Sequence, residues 1–108
     1  HNKTKMVRNH YYSGALKEEG KKSGSLKIGP WTYWRENGEK YGLMIGWYEN
    51  GKKSIQQNWK NARKNGSHLM WYLNGARKEE GLMSDGEEVG RWIYYTDDGN
   101  VDKILEHD

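Results

Sequence analysis

General acid–base and metal chemistry draw first on histidine, and this sequence of 108 residues has four. His10 and His68 fall in separate segments beside aromatic residues, where a packed or surface imidazole is expected. His1 and His107 fall at ends expected to fray. With no cysteine in the chain, thiolate nucleophiles, disulfides and Cys-based zinc sites are excluded. The acidic pairs Glu18-Glu19, Glu79-Glu80 and Glu87-Glu88 would point their carboxylates to opposite faces of a strand, which suits solubility and not an acid–base dyad. Glycines are spaced for turns, and no helix follows them to offer its N-terminus to a phosphate. The expectation is a chain without catalytic residues, metal or cofactor: a binding module and not an enzyme.

Binding chemistry is better represented. Between Glu49 and Glu79 the sequence places Lys52, Lys53, Lys60, Arg63, Lys64, Arg77 and Lys78 with no acid among them. Trp59 lies inside this stretch and apart from the paired aromatics described below, which makes it the aromatic picked out for contact with a partner. Mixed aromatic and basic side chains can meet anionic lipid head groups, or stack bases while touching phosphates. The same lysines can also serve only to keep sheet edges soluble. Residues 1–78 carry 16 Lys/Arg against 5 Asp/Glu, net +11, and residues 79–108 carry 2 against 10, net −8. Such a chain is strongly dipolar, and in a solenoid its two regions would lie at opposite ends and favour head-to-tail self-association.

Those side chains need a frame. Only 33% of residues are hydrophobic and 31% are charged, a balance that by itself leans towards disorder. Six Trp and eight Tyr, with no Phe, reverse the lean: each brings an apolar body and a polar tip, suited to a thin, half-wet sheet. The length has room for one domain, expected over 1–108. No apolar run approaches a membrane span, and His1-Asn2-Lys3 lacks the layout of a signal peptide, so localisation stays unknown.

Aromatic pairs followed by a turn ending in Gly recur: Tyr11-Tyr12 before Gly14, Tyr33-Trp34 before Gly38, Trp47-Tyr48 before Gly51, Trp71-Tyr72 before Gly75 and Tyr94-Tyr95 before Gly99. The glycine spacings are 24, 13, 24 and 24. Within each longer interval lies a second turn: Ser23-Gly24, Asn61-Ala62 and Asp85-Gly86. Asn-Gly and Asp-Gly predict type I′ hairpin turns, and eight turns predict about nine strands. Trp31-Thr32-Tyr33-Trp34 and Trp92-Ile93-Tyr94-Tyr95 are β-formers with aromatics on both faces. Gly29, Gly46 and Gly90, just before aromatic strands, predict bulges or close backbone approaches. Helical periodicity is absent.

An aromatic pair, Asn-Gly, a charged strand, a second turn and then Gly before Trp together resemble the variant MORN repeat. The best match runs from Trp47-Tyr48-Glu49-Asn50-Gly51-Lys52-Lys53 to Trp71-Tyr72-Leu73-Asn74-Gly75, and the resemblance covers about Tyr11 to Val101. It implies stacked hairpins in an elongated curved sheet, repeats at about 7–29, 30–46 (truncated), 47–66, 67–90 and 91–106, and a role as a protein-binding or membrane-proximal scaffold. Bacterial members often carry an antitoxin label. The family has no catalytic residues to carry over.

The expected fold is therefore all-β, an array of hairpins in a single-layer antiparallel meander. Trp31, Tyr33, Trp34, Trp47, Tyr48, Trp71, Tyr72, Trp92, Tyr94 and Tyr95 are its structural positions, with Gly38, Gly51, Gly75 and Gly99. Its expected function is non-catalytic protein binding through a sheet face or edge, with anionic lipid or nucleic-acid binding, or antitoxin-like neutralisation of a partner, as alternatives. The 13-residue step lacks 11 residues, the length of one strand and turn. If residues 39–49 form a single strand, the turns at Gly14 and Gly38 lie along one side of the sheet, those at Gly51, Gly75 and Gly99 along the other, and the contact surface changes where the registers meet. The competing reading folds Gly42 to Gly46 into an extra turn; the apolar run Leu43-Met44-Ile45 favours the strand.

Overall fold

The computed structural model describes residues 4–108; His1, with Asn2 and Lys3, lies outside the described residues. Nine strands form one open sheet in sequence order: β1 (Thr4–His10), β2 (Leu16–Ser23), β3 (Leu26–Tyr33), β4 (Gly42–Trp47), β5 (Lys53–Lys60), β6 (Arg63–Trp71), β7 (Arg77–Ser84), β8 (Glu87–Tyr95) and β9 (Val101–His107). Every neighbouring pair is antiparallel. The sheet measures 45 × 38 × 12 Å, a plate one layer thick. A single layer has no interior, so the only fully buried large side chains among the described residues, Trp31 and Trp92, are covered within the sheet itself.

Two kinds of turn alternate except on either side of β4, where two of the longer kind, at Gly38 and Gly51, follow one another. At Gly14, Gly38, Gly51, Gly75 and Gly99 the glycine N–H donates to the carbonyl three residues earlier, at 2.9–3.0 Å, and the glycine φ is between 87° and 98°. The residue before each glycine keeps negative φ. These are type I turns closed by a left-handed glycine, not the type I′ turns expected from Asn-Gly and Asp-Gly. The asparagine has another task. Its Oδ1 accepts from the N–H two residues on, as in Asn37 with Glu39, Asn50 with Lys52 and Asn74 with Ala76. Primed geometry appears instead at the shorter turns: Asn61 and Ala62 have φ of 53° and 65°, and Asp85 and Gly86 have 52° and 90°.

Strand β4 is a single strand, and it exchanges the two kinds of turn between the two rims of the sheet. Gly14 and Gly38 share the first rim with Ala62 and Gly86, whereas Gly51, Gly75 and Gly99 share the second with Gly24. Hydrogen bonds between successive turns follow the exchange. Tyr11 Oη donates to Trp34 O (2.7 Å) on the first rim. Tyr48 Oη donates to Trp71 O (2.6 Å) and Tyr72 Oη to Tyr95 O (2.6 Å) on the second. At the exchange, β3 and β4 pair only at Gly29↔Trp47 and Pro30↔Gly46, with an isolated bridge Trp34↔Lys40. Pro30, which has no N–H to donate, sits where that ladder opens, next to a Gly29 with φ of 64°.

The exchange also moves the tryptophan from one face to the other. Trp31 covers Gly20, and side-chain alternation puts Thr32, paired through Glu19, on the opposite face. Thr32 Oγ1 reaches Met44 Sδ at 3.9 Å. Met44 pairs with Gln57, Gln57 with His68 and His68 with Gly81, and Gly81 is covered by Trp92. Trp31 and Trp92 therefore mark opposite faces, called here by those names.

Candidate functional site

The meander divides the basic stretch between the two rims. Lys52, Lys53, Arg77 and Lys78 lie on the second rim, at the starts of β5 and β7. Trp59, Lys60, Arg63 and Lys64 lie on the first, around the β5–β6 turn. An eight-residue strand separates the groups by about 25 Å, so the seven cations do not form one patch. On the second rim most of the charge is already engaged: Arg77 pairs with Glu80 at 3.3 Å and lies 5.7 Å from the Trp71 ring centroid, Lys53 donates to Gln56 at 3.1 Å, and Lys78 lies 5.6 Å from the Tyr72 centroid.

The first-rim group is organised around Trp59. Its ring has the Lys64 ammonium at 5.9 Å and the Lys40 ammonium at 5.0 Å. Sequence reading missed Lys40, which lies outside the acid-free stretch; pairing of β4 with β5, with Gly42 opposite Trp59, brings it there, and a strand-by-strand alignment of the repeat would have found it. Lys40, Lys60 and Lys64 have no carboxylate within 4.0 Å among the described residues. Arg63 has one, Asp85, at 3.4 Å and well exposed. The Trp59 Nε1–H is shielded from solvent and has no acceptor among the described residues, whereas Trp31 donates to Lys21 O (3.0 Å) and Trp92 to Leu82 O (3.1 Å). A cavity of about 460 Å³ opens beside Trp59, between Arg63 and Lys64 on one side and Asp85 and Glu87 on the other.

His68 occupies a structural position. It stands seven residues before Gly75, as Trp31 and Trp92 stand before Gly38 and Gly99. Its Nδ1 contacts Gln57 Nε2 at 3.2 Å, its Nε2 contacts Glu79 Oε2 at 3.0 Å, and its ring lies 5.0 Å from that of Trp92. A donating Gln57 amide makes Nδ1 the acceptor and leaves the proton on Nε2, facing the carboxylate. This polar chain links β5, β6 and β7 where the neighbouring repeats use glycine and tryptophan. Nearby, burial and the Glu88 and Glu79 carboxylates raise the Tyr94 phenol above its ordinary range, and donation to Glu80 (2.6 Å), with burial, raises that of Tyr95. His10 is exposed. Among the described residues no group of three or more His, Asp or Glu is placed to hold a metal ion.

Beyond β4 the Trp31 face is open and sets apolar side chains among polar ones. One row across it runs Ile45, Gln56, Leu69, Glu80, Ile93 and Ile104 in direct register. Leu43 and Leu82 lie on the same face, and Leu43, Leu82 and Ile104 are 47%, 50% and 48% exposed. Leu69, Leu82, Val89 and Ile93, with Glu80 and Arg91, line a shallow cavity of about 350 Å³. No family model matches this chain, and neither a curated protein nor a solved structure is found to be similar to it.

Proposed function

We propose that this chain is a non-catalytic interaction module, a MORN-type hairpin array whose Trp31 face over β4–β9 docks a protein partner through apolar side chains. The carrying observation is the exposure of Leu43, Leu82 and Ile104 on one face of a sheet 12 Å thick. Exposed apolar side chains gathered on one face support an interaction site, and charged Glu80 and Arg91 beside Leu82 and Ile93 supply orientation. The five equivalent glycine turns and the tyrosine bonds between successive turns support the array reading, since each hairpin fixes the next and leaves the face as a rigid platform.

The test is comparative capture with cross-linking from the source cell. A partner retained by the unaltered chain is expected to be lost with Leu82→Asp and Ile104→Asp, and its cross-links are expected to map to β7–β9. Retention by that variant, or cross-links confined to the rims, would overturn the reading.

A further inference from the structure

The docking face lies on β4–β9, and the joint between β3 and β4 is unlike every other in the sheet. We propose that this joint is a hinge, about which β1–β3 swing as a flap against the β4–β9 platform.

Strands β3 and β4 are fastened at two ends and open between them. Gly29↔Trp47 and Pro30↔Gly46 hold the second-rim end, and Trp34↔Lys40 with a Tyr41 N–H to Tyr33 O bond (3.1 Å) holds the first-rim end. No ladder pair joins Trp31 or Thr32 to β4. Other neighbours are paired along their length, as β4 and β5 are from Gly42↔Trp59 to Trp47↔Lys53. Two fastenings on one seam define an axis along the strands, and rotation about that axis leaves every other ladder intact. Side chains add little across it. Thr32 Oγ1 meets Met44 Sδ, a weak acceptor, at 3.9 Å, and the Lys27 ammonium lies 4.6 Å from the Trp31 ring centroid and 5.7 Å from that of Trp47. Backbone freedom is concentrated at the same place: Gly29 and Gly42 have φ of 64° and 83°, and Pro30, which supplies no N–H, stands opposite Gly46. A plate 12 Å thick has no second layer to brace the seam.

Each side is braced by its own bonds. Tyr11 Oη to Trp34 O and Trp31 Nε1–H to Lys21 O tie β1–β3 together. Tyr48 Oη to Trp71 O, Tyr72 Oη to Tyr95 O and the Gly86 N–H to Lys64 O (2.9 Å) tie β4–β9. None of these bonds joins one set to the other, so the sheet is two stiff plates with one soft joint. A cavity of about 510 Å³ opens at the seam, with Met6, Ile28 and Pro30 from the flap and Trp47, Tyr48 and Glu49 from the platform in its walls, and a swing changes its width.

The experiment measures amide residual dipolar couplings of the unaltered full chain in a weakly aligning medium. A rigid sheet fits one alignment tensor. The hinged sheet is expected to need two, the smaller in magnitude on β1–β3, with a dividing line between β3 and β4 fitting better than one drawn at any other strand pair. Thr32→Cys with Met44→Cys, in a chain that has no other cysteine, places a disulfide across the seam. Oxidation is expected to merge the two tensors and reduction to part them again; if that pair does not bond, the unaltered chain decides the matter. One tensor for the unaltered chain, a better division elsewhere, or two tensors surviving in the oxidised variant would overturn the proposal. Leu82→Asp with Ile104→Asp leaves the two tensors as they are, so the hinge and the docking face fail separately.

Discussion

The indole of Trp92 stands where a side chain on Gly81 would be: a Cβ built on Gly81 comes within 2.1 Å of Trp92 Cδ2. Gly20 and Trp31 repeat the relationship at 2.2 Å on the opposite face. Gly81→Ala and Gly20→Ala are therefore expected to displace a ring that is only 1% exposed, at a cost of about 1–3 kcal/mol each. Urea denaturation measures it. A loss no larger than that of Ala76→Gly, at a turn position free of such contact, would show that the rings yield without strain.

These two pairs also show what the sequence could and could not disclose. The turns were legible because glycine alone reaches φ near 95° without a steric cost, so its 24-residue period survives in the letters. The single strand at β4 was legible in the missing 11 residues and the apolar Leu43-Met44-Ile45. Turn type was not: Asn50 and Asn74 favour a left-handed conformation in isolation, yet each spends its carbonyl oxygen on the N–H two residues later and its amide on the next turn, at Leu73 O and Asp97 O. The Trp59 group was half legible. Its local members Lys60, Arg63 and Lys64 were visible as a run, whereas Lys40 arrives through strand pairing, and Lys52, Lys53, Arg77 and Lys78 leave by the same cause, since a strand carries neighbours in sequence to opposite rims.

Gln57 and His68 stand where the flanking repeats have glycine and tryptophan. His68→Trp alone is expected to destabilise by about 1–3 kcal/mol, because the larger ring meets the buried Gln57 side chain. Gln57→Gly alone is also expected to destabilise, leaving His68 Nδ1 buried without its partner. The double variant Gln57→Gly with His68→Trp recreates the flanking pair, and the two changes are expected to couple favourably by about 1–3 kcal/mol in a double-mutant cycle. Simple additivity would show that the middle repeat cannot adopt the glycine–tryptophan packing.

Ala62 has φ of 65° at a turn whose counterpart uses Gly86 at 90°. An L side chain there costs about 1–2 kcal/mol, partly offset by the larger unfolded-state entropy of glycine. Ala62→Gly is expected to stabilise by roughly 0.5–1 kcal/mol, read as a rise in the urea midpoint at unchanged slope. Ala76→Gly, where φ is not positive, is expected to do the reverse. Destabilisation by Ala62→Gly would mean that the Ala62 methyl contributes more by packing in the cavity beside Trp59 than its conformation costs.

Strands β1 and β9 each have one side without a strand partner in this sheet, and their charges differ in sign. Lys5 and Arg8 lie on β1, and Asp102 and Glu106 on β9, with exposed Met6 on the first and exposed Ile104 and Leu105 on the second. Pairing β1 with β1 of a second copy sets cations against cations, whereas β9, whose Lys103 stands between Asp102 and Glu106, carries a net charge of −1 and gains less from pairing with itself than from meeting β1. Pairing β9 with β1 of the next copy meets opposite charge, and such a head-to-tail contact does not close on itself, so it extends. Arg8 and Glu106 already have partners, Glu19 and Arg91, both at 2.6 Å, so the attraction is moderate and carried by the whole +11 and −8 regions. Concentration-dependent association is expected in sedimentation at about 0.02 M salt, fading by about 0.5 M as the screening length contracts. Asp102→Lys with Glu106→Lys is expected to abolish it. A monomer at low salt and high concentration, or association indifferent to that charge reversal, would show that the two edges do not recognise each other.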